Sequence, residues 1–113
     1  MHTFATTVRK LSLVAFAATL AGGAHAANLE AGKKRAAEVC VACHGIDGNS
    51  QNPDYPKLGG QHPDYLAKAL RDYQSGARNN AIMKGFATAL NDADIADVTA
   101  WYANQPQVLS HRK

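Results

Sequence analysis

Apolar positions recur along this chain with a changing rhythm. An unbroken apolar run, Leu11 to Ala21, follows Arg9 and Lys10. Farther on, Ala31, Ala36, Ala37 and Val39 supply small apolar positions while Lys33, Lys34, Arg35 and Glu38 face solvent, which predicts a helix from Leu29 to about Val41. Gly32 inside that helix costs about 1 kcal/mol relative to Ala; it is either tolerated or marks a close crossing with another helix. Leu66, Leu70 and Tyr73 stand at i, i+4 and i+7 and predict a second helix, with Pro63 at its first position, Asp64 near its positive end and Gly76 as its stop. Ile95, Val98 and Tyr102 form one face of a third, with Asn91 or Asp92 as cap, Asp94 in the first turn, Trp101 beside the face and Pro106 past the end. Between these helices, Gly45 to Gln61 is too rich in Gly and Pro for either element. Ala77 to about Ala89, which holds Met83 and Phe86, reads as a second loop. Nothing alternates with period two. The expected fold class is all-α, with three main helices.

The first 26 residues read as a leader. A positive start, an apolar stretch of about a dozen residues and the small-x-small triplet Ala24-His25-Ala26 predict an exported chain cut before Ala27. The alternative, a retained membrane anchor, is disfavoured because a span needs roughly 20 apolar residues. The expected domains are therefore a removed leader, 1–26, and a single mature domain, 27–113.

Composition changes once the leader is set aside. The 113 residues hold 12 Lys+Arg against 9 Asp+Glu, a net charge of +3. Arg9 and Lys10 leave with the leader and no acidic residue does, so the mature 87 residues carry about +1. No basic stripe with interleaved aromatics remains, which argues against nucleic acid as a partner. A domain of this size buries a thin core and usually depends on a disulfide, a metal or a cofactor.

The candidate chemistry lies at Cys40-Val41-Ala42-Cys43-His44, which uses both cysteines of the chain. In an exported protein this C-x-x-C-H pentad reads as covalent attachment of one c-type haem. At a helix end, cysteines at i and i+3 share a face and can each form a thioether, and the adjacent His44 can offer an imidazole nitrogen to the iron. A thioredoxin-like site would follow a strand. A zinc site needs four ligands, and the mature chain offers only His44, His62 and His111 beside the two cysteines. A plain disulfide leaves the adjacent His unexplained. With Met1 gone, Met83 is the sole methionine, and its place between the second and third helices suits a ligand on the opposite haem face. A lone Met is otherwise core filler. His62 and His111 are fallback ligands; His62 suits a surface or capping role, and His111, two residues from the end, is expected to be disordered.

On these residues the chain resembles a class I c-type cytochrome of the small, single-haem periplasmic kind, and one half of the dihaem periplasmic cytochromes c. The matching pieces are Cys40 to Gly45, Pro56-Lys57-Leu58-Gly59-Gly60-Gln61, Tyr65-Leu66, Tyr73 and Gly76, Met83-Lys84-Gly85, Asp94 to Asp97 and Trp101-Tyr102, over about residues 29 to 105. The resemblance implies that His44 and Met83 ligate the iron and that the Pro56 carbonyl accepts a hydrogen bond from the other ring nitrogen of His44. It also implies that Gly32 lets the first helix cross the last beside Trp101 and Tyr102. Ala36 stands where some members carry an aromatic residue, which implies a different packing detail at that crossing. Arg78, Asn79 and Asn80 are candidates to meet the haem propionates or to position the Met83 loop. Leu58, Leu66, Leu70, Phe86 and Ile95 are the candidate apolar pocket.

The expected function is one-electron transfer in the periplasm between redox protein partners, with the membrane reached only through redox complexes and the chain a monomer or weak dimer. Interfaces of such carriers are small and transient. Two other readings stand beside it: a haem sensor or peroxidase with a displaceable Met83, which lacks an obvious acid–base pair, and a dedicated cytochrome subunit of a periplasmic dehydrogenase.

Overall fold

Asn28 starts the first helix for a local reason: its side-chain oxygen accepts the Ala31 N–H at 3.0 Å, one of the donors a helix start leaves unpaired. In the computed structural model, residues 25–108 are described. The expected leader apart from His25 and Ala26 lies outside them, as does His111. Among the described residues there are five helical segments and no strand: α1 Leu29–Val39, α2 Val41–His44, α3 Pro63–Ser75, α4 Ala81–Thr88 and α5 Asp92–Ala103. The all-α expectation holds, and none of these helices is long and apolar enough to cross a membrane.

Two boundaries differ from the sequence reading. The first helix does not run smoothly to Val41; it breaks at Cys40 and resumes as the single turn α2. The expected loop Ala77 to Ala89 contains a true helix, α4. Asn80 caps it by accepting the Met83 N–H at 2.9 Å, and its apolar residues fall at helical spacing, Ile82 with Phe86 and Met83 with Ala87. Gly85 in its middle disguised the pattern. The other ends match: Gly76 closes α3 in the left-handed region, and Asn91 with Asp94 forms a reciprocal capping box on α5.

α1 packs chiefly on α5, and α3 packs on both α4 and α5. The α1–α5 crossing is possible only because residue 32 has no side chain. A Cβ there would lie 2.1 Å from the Asp97 carbonyl oxygen and 3.0 Å from the Trp101 Cβ. Asp97 itself is buried on α5 and receives the Asn28 N–H at 2.8 Å and His25 at 2.9 Å, so the entry to α1 is tied to the middle of α5. Burial pushes its carboxyl up, but those two contacts outweigh it and hold the pKa below the usual range.

The long loop folds back on itself at Gly48, whose carbonyl accepts both Leu58 N–H and Gly59 N–H, at 2.7 and 3.1 Å. A Cβ on Gly48 would meet Gly59 N at 2.6 Å, so the pinch requires glycine. Asn49 then ties the loop to the segment after α5, donating to Pro106 O and accepting from Val108 N–H. Buried apolar residues form two clusters, Ala36 with Leu66 and Tyr102, and Leu90 with Ile95 and Val98. Among the described residues, Ile95 and Val98 are the largest fully buried side chains. The core is thin because a cavity occupies the space where a larger one would be.

Candidate functional site

α2 and the break before it place the pentad on one wall of that cavity. Cys40, at the break, and Cys43, one turn on, both line it, as does His44 at the end of α2. Neither cysteine is in a disulfide. Burial pushes the Cys40 thiol above its ordinary range, with the neighbouring Tyr102 hydroxyl and the Arg35 charge acting against it. No three His, Cys, Asp or Glu side chains stand together as a metal-binding group among the described residues.

His44 is buried, at 6 % exposure, and its Nδ1 lies 2.9 Å from the Pro56 carbonyl oxygen. A carbonyl can only accept, so Nδ1 carries a proton, and Nε2 is the nitrogen that holds the lone pair whenever the ring is neutral. That is the tautomer needed for Nε2 to act as a ligand. Tyr55 meets the ring edge-on, with centroids 6.4 Å apart.

The opposite wall comes from α3 and α4. Leu66, Ala69, Leu70 and Tyr73 of α3 line the cavity, with Ile82, Met83, Phe86 and Ala87 of α4 and Val98, Thr99 and Tyr102 of α5. Met83 is half-buried. The position of α4 is held at both ends: Asn80 caps its start, and Gln74 of α3 donates one amide to both Ala87 O and Leu90 O, at 2.8 and 2.9 Å. The cavity holds about 450 Å³ and its lining is mainly apolar, a size and character typical of a site for an organic ligand.

The structure thus brings Cys40, Cys43, His44, Pro56 and Met83 to one space. Leu58, Leu66, Leu70 and Phe86 belong to its wall as expected. Ile95 does not: it is fully buried in a cluster with Leu90 and Val98, and it is those two members of the cluster that line the cavity. His62 is exposed at the start of α3, makes no capping bond with its side chain, and does not line the cavity. Asn80 and Arg78 both line it, Arg78 stacking over Tyr73 at 5.0 Å, whereas Asn79 does not. Sequence reasoning missed Gln74 and Thr99. A polar residue within an apolar helix face is the one signal that could have found Thr99, whose hydroxyl donates back to Ile95 O at 2.7 Å.

The residues fit a flat organic group with an iron at its centre. Two thiols one turn apart, an imidazole and a thioether converge on one mainly apolar space.

Comparison with known proteins points the same way. The family described as cytochrome c matches residues 29–105. The chain is 48% identical over 86 residues to a cytochrome c4 of Pseudomonas aeruginosa, covering 76% of this chain and 43% of that protein. It is 44% identical over 69 residues to a thiosulfate dehydrogenase electron acceptor of Thiomonas intermedia, covering 59% of this chain and 31% of that protein. In three dimensions it is similar to the crystal structure of reduced recombinant cytochrome c4 from Pseudomonas stutzeri, with a TM-score of 0.66 and 40% identity over 72% of this chain and 47% of that one. The chain therefore spans less than half the length of these relatives, the extent expected of a likeness to one half of a two-domain protein.

Proposed function

Because the chain belongs to the cytochrome c family, an electron-transfer family whose members carry haem c, we propose that it is a periplasmic one-electron carrier in which His44 and Met83 would ligate the haem iron. The observation that carries the reading is the convergence of Cys40, Cys43, His44 and Met83 on one mainly apolar cavity, with His44 Nδ1 held by the Pro56 carbonyl. Cys40 and Cys43 would hold the haem through thioethers. When bound, haem c supplies an iron that gains and loses a single electron. His44 donates its Nδ1 proton to Pro56 O, which fixes the ring and strengthens the other nitrogen as a donor. Met83 would close the second face, so that neither side is left for substrate or oxygen. A thioether ligand favours the reduced state and raises the potential, and the apolar walls act in the same direction by excluding water from the more charged oxidised centre. Export to the periplasm is supported by the leader pattern of residues 1–26, with cleavage before Ala27.

The relative named as an electron acceptor of thiosulfate dehydrogenase supports a carrier that serves a dehydrogenase. Co-purification with an enzyme subunit separates a dedicated subunit from a free carrier. The ligand assignment is tested by optical spectra of the haem-loaded protein, oxidised and reduced, with and without carbon monoxide. A low-spin spectrum with a sulfur-to-iron charge-transfer band and no response to carbon monoxide is expected. In Met83→His that band disappears and the potential falls substantially. An unchanged potential would mean that Met83 is not the ligand, and a carbon-monoxide response in the native protein would favour sensing or peroxidase chemistry.

A further inference from the structure

The turn that follows His44 is held from α5 by two donors in succession. A helix end leaves its last carbonyls without partners inside the helix, and α2 is a single turn that ends at His44. Gly45 N–H meets part of that need by returning to Val41 O at 3.0 Å, and Gly48 N–H closes the turn beyond the helix onto Gly45 O at 3.2 Å. Two carbonyls of that turn also accept from side chains 55 and 57 residues away. Trp101 Nε1–H donates to Ile46 O at 2.8 Å, and the Tyr102 hydroxyl donates to Gly45 O at 3.0 Å.

Adjacent donors meet adjacent carbonyls in reverse order, so the pair restrains both the position and the tilt of the turn. Tyr102 is 2% exposed, and its ring also packs in the cluster that Cys40 adjoins. Burial pushes its phenol above the ordinary range, which favours the protonated, donating hydroxyl. An aliphatic or phenyl side chain would fill both positions equally well for packing alone. Each residue instead carries one polar group at the end of a rigid ring, and each group is used on the same turn.

We infer that Trp101 and Tyr102 are positioning residues for the His44 imidazole. From α5 they fix the backbone from which the ring hangs, while the Pro56 carbonyl fixes its rotation. The inference rests on the reading of His44 as a haem ligand. Without the two donors the turn relaxes, the Nδ1–H bond to Pro56 O weakens, and the imidazole becomes a poorer donor to the oxidised iron. The potential then rises.

The test uses the haem-loaded protein as it matures on export and the variants Trp101→Phe, Tyr102→Phe and the double variant. Voltammetry, proton NMR of the oxidised state and thermal unfolding are measured on each. The double variant is expected to shift the one-electron equilibrium about threefold toward the reduced form, about 28 mV upward at 59 mV per tenfold. Each single variant gives a smaller rise, the hyperfine-shifted His44 ring signals move, and the Met83 methyl signal stays in place. Trp101→Phe alone suffices if the buried Tyr102 position does not tolerate change, because Trp101 is only half-buried. Native potential and native His44 signals in the variants, even with a lower melting temperature, would show a packing role only and overturn the inference. Absence of shifted imidazole signals in the unaltered protein would overturn it together with the ligand assignment beneath it.

Discussion

Gly32→Ala puts the helix crossing to a quantitative test. The added Cβ would stand 2.1 Å from the Asp97 carbonyl oxygen and 2.6 Å from its carbon, whereas carbon–oxygen contacts of this kind settle at about 3.3 Å or more. Backbone cannot rotate out of the way as a side-chain tip can, so α1 and α5 must separate by about 1.2 Å, the shortfall from that contact distance. A gap of 0.5–1 Å already forfeits roughly a quarter to a half of the dispersion well for each contact across a seam. This seam carries Ala36, Trp101 and Tyr102. Overpacking of this severity costs about 3 kcal/mol, the upper part of the usual range. Ala returns about 1 kcal/mol over Gly as a helix former. The net loss is about 2 kcal/mol, or roughly 8–16 °C in melting temperature for a domain of this size. The assay is thermal unfolding of the haem-loaded protein by far-ultraviolet circular dichroism. Gly85→Ala is the internal comparison: it also sits within a helix, but no atom lies within 4 Å of the added Cβ, so the variant should gain up to about 1 kcal/mol. If Gly32→Ala melted at or above the native temperature alongside Gly85→Ala, the close crossing would be refuted.

Other consequences follow from the same contacts. Asn80→Ala removes the acceptor of the Met83 N–H and should cost about 1 kcal/mol locally; the expected readout is a weaker sulfur-to-iron band and a new response to carbon monoxide, with the His44 side unchanged. Gln74→Leu removes both donors to the Ala87 and Leu90 carbonyls and should lower the melting temperature more than an exposed α3 substitution such as Lys68→Ala does. With His25 present the Asp97 carboxyl pKa is held low, and in a chain cut before Ala27 the Asn28 N–H remains as the contact that lowers it; the stability so gained is present above the unfolded value near 3.9 and is lost as pH falls through the lower folded value. Asp97→Asn should therefore be less stable than the native protein at neutral pH, with the gap closing in acid; a gap independent of pH would show that the ionised carboxylate is not what holds the Asn28 N–H.

The pentad, the helical faces, the ends of α3 and the cap of α5 were legible before any fold was known, because each depends on residues within one or two turns of one another; the Asn28 and Asn80 caps were not read. Helix α4 was hidden by Gly85, whose low propensity is outweighed by a cap and by packing against α3. Ile95 was placed in the cavity wall because a helical face is wider than the strip that borders a cavity, and periodicity does not say which edge of the face looks inward. Gln74 carried no signal at all, since its two acceptors lie 13 and 16 residues away and belong to a helix end.

What the sequence determined by itself is therefore local: an all-helical chain, a C-x-x-C-H pentad with chemistry specific enough to name its cofactor, and a methionine, Met83, between the second and third expected helices. What only the tertiary structure decided is how those pieces meet. That His44 carries its proton on Nδ1 depends on Pro56 O, twelve residues on, and that carbonyl is in place because Gly48 pinches the loop and Asn49 ties it to the end of the chain. Short-range propensities act over a few residues, while hydrogen bonds to distant carbonyls and a Cβ-free helix crossing exist only after the chain has closed on itself.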